Sequence, residues 1–547
     1  MKTYPLGMVP PYQALSYTWD SLERSDSIII NGVNWKISQS LWEALRHILS
    51  KARATVTGPW TGRMWVDGLC INQRDEDEKS SQVARMRDVY STAARTIVWI
   101  GLQDESVAMA FDTLERFAAD DGTVNGARAR KELDQPERRR DAIGRLIQRQ
   151  WFSRTWVIQE VVVAAIATVQ CGQCIIEWQT LQHGLERATG SGFYPFGPQV
   201  ANVTNIGNWR RDFLEMPPSA VRDEALDLRI LTMDPSNKGA TNPRDKIYAL
   251  RGIASEAYAR GISVNYRDPV EKVYVDCAKH LLRMRKDLRV LSLIRRHHRR
   301  ATKSLSLPSW VPDWSQAMDG GGVLQRYYRF LPERMFRACS TSKSHVTISA
   351  NNKAIRLAGT RLGTVIEVHS IQALILGDDC STQDIQMSRA RLIVMARTLG
   401  LPQVYQTTGE PSWLALFRTI TADRTAFSSR IDAHYRMRNF SSVSSAELSQ
   451  KSIDDAWNEI SASLPAIFKD KVLFTTDEHL LGFTESGCRV GEDVCVFLGG
   501  EVPFMIQKMP EGHYHLHGEA YLHGMMDGEA LARHELGELD LDYFEIQ

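Results

Sequence analysis

Trp156 and Glu160, four residues apart in WFSRTWVIQE (residues 151–160), are the pair whose types and spacing could do chemistry. On a helix, positions i and i+4 share one face about a turn apart, so the carboxylate stands beside an aromatic wall. The apolar run Val161 to Ile166 follows at once, which sets Glu160 where the chain enters a hydrophobic interior. Glutamate is rarely buried without a partner or a task. Two readings stay open on these residues: an ion pair with Arg154 or another arginine, or a carboxylate whose proton affinity is tuned by its surroundings.

Other candidates lie at strand ends. Gln13 to Tyr17 reads as a short strand running into Ser16, Tyr17, Thr18, Trp19 and Asp20, and Met64 to Asp67 reads as a second one ending at a carboxylate. In open α/β sheets ligands bind outside the carboxyl ends of the strands. For Asp67 a helix-capping or loop-bracing role stands beside the ligand role. Cys171 and Cys174 in CGQC lack a second pair for zinc and precede β-favouring Ile175 and Ile176, so they read as a strand-turn-strand corner. His513, His515 and His517 alternate along one strand face with His523 nearby; no carboxylate or Cys motif accompanies them, and a solvated face with no metal is the expectation. The basic run Arg295 to Arg300 has no interleaved aromatics and reads as an exposed helix end or loop. There is no Walker loop, GxSxG, GxGxxG or HExxH, which leaves phosphoryl transfer, serine hydrolysis and zinc proteolysis without support.

The chain that must position these groups has 547 residues, 43% hydrophobic and 24% charged, enough for two to four domains. Its 66 Lys and Arg balance 65 Asp and Glu, so no global field draws it to nucleic acid or acidic membrane. No stretch approaches the ~20 apolar residues of a membrane helix, and MKTYPLGMVPPYQ lacks a signal-peptide core. Eight cysteines are sparse for a disulfide scaffold. The expectation is an intracellular, cytoplasmic protein with neither nucleic-acid nor membrane partners.

Strand and helix patterns alternate over the first part. Asn31-Gly32 between Ile28–Ile30 and Val33–Ile37 marks a hairpin. Ser40 with Glu43 suggests a capping box opening a helix through Leu41, Leu45 and Ile48. Val83, Met86 and Tyr90 mark a further helix, Thr96 to Ile100 a buried strand, and Ala110 to Phe117 another helix. Asp120 to Arg140 is charged and reads as an exposed insertion. This is the alternation of a doubly wound α/β domain. Asn242-Pro243-Arg244-Asp245 opens a helix in a mainly helical middle, Leu307 to Trp314 is irregular with tryptophans that need burial, and Gly320 to Gly322 breaks the chain. Period-two alternation then dominates, from Ile355–Leu357 and Val365–Val368 to Val472–Thr475, Val494–Leu498, Phe504–Ile506 and Tyr514–Leu516, as in a small β barrel or sandwich. The expected domains are 1–185, 186–330 and 331–547, the last carrying a helical and polar insertion near 383–469.

ALSYTWD (14–20), WVDGLCINQ (65–73), QVARMRDVYSTAARTIVWIG (82–101) and WFSRTWVIQE together resemble the heterokaryon-incompatibility (HET) domain of filamentous fungi. NPRDKIYALRGIA (242–254), LPSWVPDW (307–314) and the stretch from GEDVCVFLGGEVPF to GEAYLHGMMDGEAL (491–531) resemble the region that often follows it. Asp20 departs from the glycine usual in that family, and the segment before ALSY is short.

The HET domain is distantly similar to Toll/interleukin-receptor (TIR) domains, a flavodoxin-like fold whose enzymatic members cleave NAD with a glutamate four positions after a tryptophan. The resemblance thus implies a TIR-like sheet and a catalytic role for Glu160. Cleaving the nicotinamide–ribose bond creates an oxocarbenium-like sugar, which needs a fixed negative charge in a water-poor pocket. Glu160 can supply that charge and Trp156 can wall the pocket, while Ser16, Tyr17, Trp19 and Asp67 are placed to hold ribose or nicotinamide. The expectation is a fungal self/non-self or stress-response protein, with NAD as substrate rather than cofactor and activity on homo-oligomeric assembly. The alternative is a non-enzymatic module that recruits signalling partners and triggers incompatibility cell death.

Overall fold

The computed structural model describes residues 1–19, 25–51, 62–119, 133–195, 197–216, 238–296, 305–316, 336–376, 389–423 and 471–547. They fall into two units, Met1–Val270 and Glu271–Gln547. Asp20, the glycine break at 320–322 and most of the 383–469 insertion lie outside the described residues.

The first unit is a mixed sheet and helix region. Strand β1 (Gln13–Ser16) is buried along its whole length. The hairpin β2 (Asp26–Ile30) and β3 (Val33–Ile37) turns at Asn31 and Gly32, whose φ values of 52° and 80° suit the right-handed twist of the flanking strands. The helix Gln39–Lys51 follows. Its first turn is capped by Ser38, whose hydroxyl accepts from the Leu41 amide at 3.4 Å, whereas Ser40 lies 3.2 Å from the Thr18 hydroxyl. The capping residue is therefore Ser38, because Ser40 is drawn to a tertiary partner. Strand β4 (Met64–Trp65) is shorter than its apolar run, since Asp67 already begins the helical turn Asp67–Cys70.

With β5 (Arg95–Trp99), β6 (Ala167–Cys171) and β7 (Cys174–Glu177), the sheet order is β4-β1-β5-β6-β7. The first four strands are parallel and β7 returns antiparallel, with Cys171 opposite Cys174 at the expected corner. Side-chain alternation sends Leu15, Tyr17, Ile97 and Trp99 to one face, where they pack on Leu41, Ala44 and Ile48. Ser16 consequently points to the other face. Of the charged stretch at 120–140, residues 120–132 lie outside the described residues, and the rest is no exposed insertion. A helix begins at Pro136, and buried Arg139 pairs with Asp112 and Asp134, both at 2.7 Å. Beyond the sheet come the helices Trp178–Gly190, Pro198–Glu215, Asp245–Arg251 and Glu256–Gly261.

The second unit opens with the helix Val270–Arg285, and Trp310 and Trp314 are fully buried. Strand β9 (Ile355–Ser370) joins the two early strands expected from the sequence into one, with Gly363 at φ 151° and the adjacent Leu362 skipped in the register against a partner strand. Five strands close a barrel: β14 (Asp493–Phe497), β15 (Phe504–Lys508), β16 (Tyr514–Glu519), β18 (Asp542–Ile546) and β9, which pairs back to β14. The second half of β9 carries extra strands β12 (Lys471–Thr476), β13 (Leu481–Glu485) and β17 (Tyr521–Leu522), β8 (Thr347–Ile348) pairs with its start, and β10 (Val404–Tyr405) pairs with β11 (Glu410–Pro411). Leu362, Val365, Phe474, Val494, Val496 and Met505 fill the core.

Two polar clusters correct the sequence reading. Arg295 and Arg296 are buried, pairing with Glu485 and Glu492. They are barrel-bracing cations, because each finds a carboxylate and so tolerates desolvation. His523 is likewise buried, bonded to Glu410 and, at 3.0 Å, to the Tyr521 hydroxyl, and His517 lies 3.3 Å from Glu492. Of the alternating histidines, His517 is thus turned to a buried carboxylate, while His513 and His515 lie half-exposed beside each other, ring centroids 5.4 Å apart. Among the described residues no helix is long and apolar enough to cross a membrane.

Candidate functional site

The site grows from the end of β1. Ser16, 1% exposed, accepts a hydrogen bond from the Trp151 indole at 2.8 Å and donates its hydroxyl proton to Glu160 Oε2. A hydroxyl has one proton, so the indole above it fixes which way that proton points. Trp151 is itself clamped edge-on by Phe152 and Trp178, with ring centroids at 5.1 and 6.0 Å. Glu160 sits in the short helix Val157–Val162, whose N-cap is Trp156. It is 2% exposed, and burial pushes its carboxyl up to about 7; the Arg154 charge and the Ser16 bond pull the other way, and Asp67 adds to the rise. Arg154 donates to the Tyr17 carbonyl, and among the described residues Glu160 makes no ion pair. The carboxylate is held by a neutral donor.

A second carboxylate stands at the end of β4. Asp67 accepts from the Tyr17 hydroxyl, the Trp19 indole and, at 2.6 Å, the Gly68 amide. Burial raises its carboxyl, against the pull of Arg154 and these three donors. Gly68 permits the approach, since a Cβ there would lie 2.6 Å from the Tyr17 hydroxyl. Burial and the neighbouring Asp67 hold the Tyr17 phenol well above its usual range, so it stays a donor.

The third carboxylate, Asp245, comes from far along the chain. Residues 238–239 run beside the turn before the Glu160 helix: Gly239 donates to the Ser153 carbonyl at 2.5 Å and accepts from the Thr155 amide at 3.1 Å, and the Lys238 ammonium donates to the Phe152 carbonyl at 2.9 Å. This strapping carries Asp245 to the Trp156 indole, which donates to it, as does the Tyr266 hydroxyl at 2.5 Å.

Between these walls lies a cavity of about 920 Å³, within the size range of small-molecule sites. Trp19, Asp67, Trp156 and Glu160 line it together with Asp245, Tyr266, Lys79, Arg154 and Arg244. Of the six residues singled out from sequence, the structure brings four to the cavity. Ser16 and Tyr17 stand behind it and hold Glu160 and Asp67. Trp19, 42% exposed, forms the rim. Sequence reasoning missed Asp245 and Tyr266, which fell beyond the expected boundary at residue 185; the signal was NPRD, noted only as a helix opening. Among the described residues no group of three or more His, Cys, Asp or Glu converges as metal ligands.

Residues 12–160 match the heterokaryon incompatibility protein (HET) family model. This chain carries a HET domain. Residues 448–541 also match the Het-6 β-barrel domain. A curated relative, "Heterokaryon incompatibility protein 6, OR allele" of Neurospora crassa, is 24% identical, with 96% of this chain and 91% of the relative aligned. The chain is therefore related to fungal Het-6-like incompatibility proteins. No solved structure matches. The HET match ends at Glu160, so Asp245 and Tyr266 complete the HET cavity from outside the matched domain, and the barrel match stops one residue before β18.

Proposed function

We propose that this HET-domain protein serves in incompatibility signalling by cleaving the nicotinamide–ribose bond of NAD or a related nucleotide. The carrying observation is Glu160: a carboxylate 2% exposed, on the wall of a cavity, braced by Ser16 and with no cation paired to it among the described residues. An ion-paired structural glutamate has no need of that arrangement. As the bond between the anomeric carbon and the pyridinium nitrogen breaks, its electron pair neutralises the leaving base and positive charge grows on the ribose. Glu160 stabilises that charge, then takes the proton of the water that adds to the anomeric carbon. A carboxyl near 7 can do both at neutral pH.

A TIR-like ancestry agrees with the sheet. Numbered along the chain, the sheet strands stand in the order 2-1-3-4-5, the order of flavodoxin-like folds, whose ligand crevice opens where the order reverses. Glu160 reaches Ser16 at the end of the first strand of that switch. The antiparallel β7 is a departure from the fully parallel sheet.

The test is nicotinamide release from NAD by the full-length protein at several protein concentrations, wild type beside Glu160→Gln. Release that rises faster than linearly with protein and falls at least ~100-fold in the variant supports an assembly-dependent hydrolase. Equal release by both proteins, or none from folded wild type at any concentration, overturns it and favours the interaction module.

A further inference from the structure

Asp245 faces the cavity with acceptor capacity to spare. Two donors meet it, the Tyr266 hydroxyl and the Trp156 indole, whereas an ionised carboxylate offers about four acceptor sites. None of the three cations lining the cavity makes an ion pair with it among the described residues, and Arg154 donates to the Tyr17 carbonyl. The Lys79 ammonium sits over the Tyr266 ring, 4.1 Å from its centroid, and Arg244 donates to the Asp268 carbonyl at 2.7 Å and to Asn242 Oδ1 at 3.2 Å. Trp156 links the two chemistries of the cavity, because its indole binds Asp245 and its backbone begins the turn that ends in Glu160. Trp156, Glu160 and Asp245 line one cavity, which is what a planar base stacked on Trp156 with its sugar toward Glu160 would need for its substituent edge to meet Asp245.

We propose that Asp245 reads the substituent of the departing base, accepting the N–H of a carboxamide and rejecting the corresponding carboxylate. The assignment rests on the glycohydrolase reading above. An amide supplies the donor the carboxylate needs, while an acid places two like charges together in a partly desolvated pocket. Asp245 is thus a specificity residue contributed by the segment after the HET match, and the site is incomplete without that segment.

The experiment uses the full-length protein in two assays. Binding of nicotinamide and of nicotinate is followed by tryptophan fluorescence and calorimetry in wild type, Glu160→Gln and Asp245→Asn. Base release is compared for NAD and its deamido analogue, nicotinic acid adenine dinucleotide. The expected wild-type preference for the amide is about tenfold or more, since a site built around one buried polar contact rejects the ligand that cannot make it. Asp245→Asn, whose amide can donate to an acid, should bring that preference to within about threefold. An amide preference that is absent in wild type, or that persists undiminished in Asp245→Asn, overturns the assignment. Because the wild-type comparison needs no variant, poor folding of Asp245→Asn does not rescue the idea. Amide-selective binding that depends on Asp245 without cleavage of either dinucleotide sinks the hydrolase reading and leaves this one standing.

Discussion

Ser16 stands between Trp151 and Glu160, accepting from the indole at 2.8 Å and donating to the carboxylate, so the end of β1 supplies a neutral side-chain donor to the carboxylate. This bond favours the ionised form of Glu160. Ser16→Ala removes it and leaves the Trp151 indole without its acceptor, at a cost of ~1–3 kcal/mol in stability. The Glu160 carboxyl, already pushed up to about 7, should move higher. If ionised Glu160 drives turnover, the acid limb of the pH–rate profile shifts to higher pH while the alkaline plateau keeps most of its rate. An acid limb that stays put, or moves down, contradicts a Ser16–Glu160 coupling.

Glu160 also sets a pH dependence of stability that needs no substrate. Its carboxyl lies near 7 in the fold against 4.5 unperturbed. The folded chain therefore binds more protons than the unfolded one between those values, and stability falls as pH rises through that window. At ~1.4 kcal/mol per decade of proton affinity, the full penalty above pH 7 is about 3 kcal/mol. Glu160→Gln keeps the shape and removes the charge. It should raise the melting temperature of the first unit at pH 8 and change it little near pH 4.5. A Gln variant less stable than wild type at pH 8 means the carboxylate is held more firmly than its surroundings indicate.

Local patterns carried much of this architecture. The hairpin at Asn31-Gly32 was legible because only residues tolerant of positive φ suit that turn, and β5 because a continuous apolar run needs cover on both faces. Trp156 and Glu160, which their spacing placed on one helical face, both line the cavity. Long-range pairing was harder to read. Asp245 reaches the cavity through backbone bonds between residues 239 and 153–155, which leave no mark in side-chain periodicity. Strand β18 closes the barrel but buries only Phe544 and Ile546, too little alternation to stand out at the end of the chain. Arg295 and Arg296 looked solvated because a charged run usually is; their carboxylates lie about 190 residues onward.

That last pairing gives the second unit a sensitive position. Arg296 grips Glu492 with both terminal nitrogens and also donates to the Gly487 carbonyl at 2.9 Å, with both charged side chains almost fully buried. Burial alone would raise the Glu492 carboxyl, but the His517 and Arg296 contacts outweigh it and hold it below its usual range. Arg296→Met keeps the stem and removes the charge, stranding a carboxylate that water cannot reach. Breaking a buried pair from one side costs about 3–5 kcal/mol, while replacing both partners by apolar groups is often neutral. Arg296→Met should therefore lower the melting temperature of the barrel unit strongly, and the double change Arg296→Met with Glu492→Leu should recover a large part of the loss. Thermal unfolding followed by calorimetry decides between them. A double variant as unstable as the single one would mean that the pair is needed for its hydrogen bonds to Gly487 and His517, beyond the neutralisation of one charge by the other.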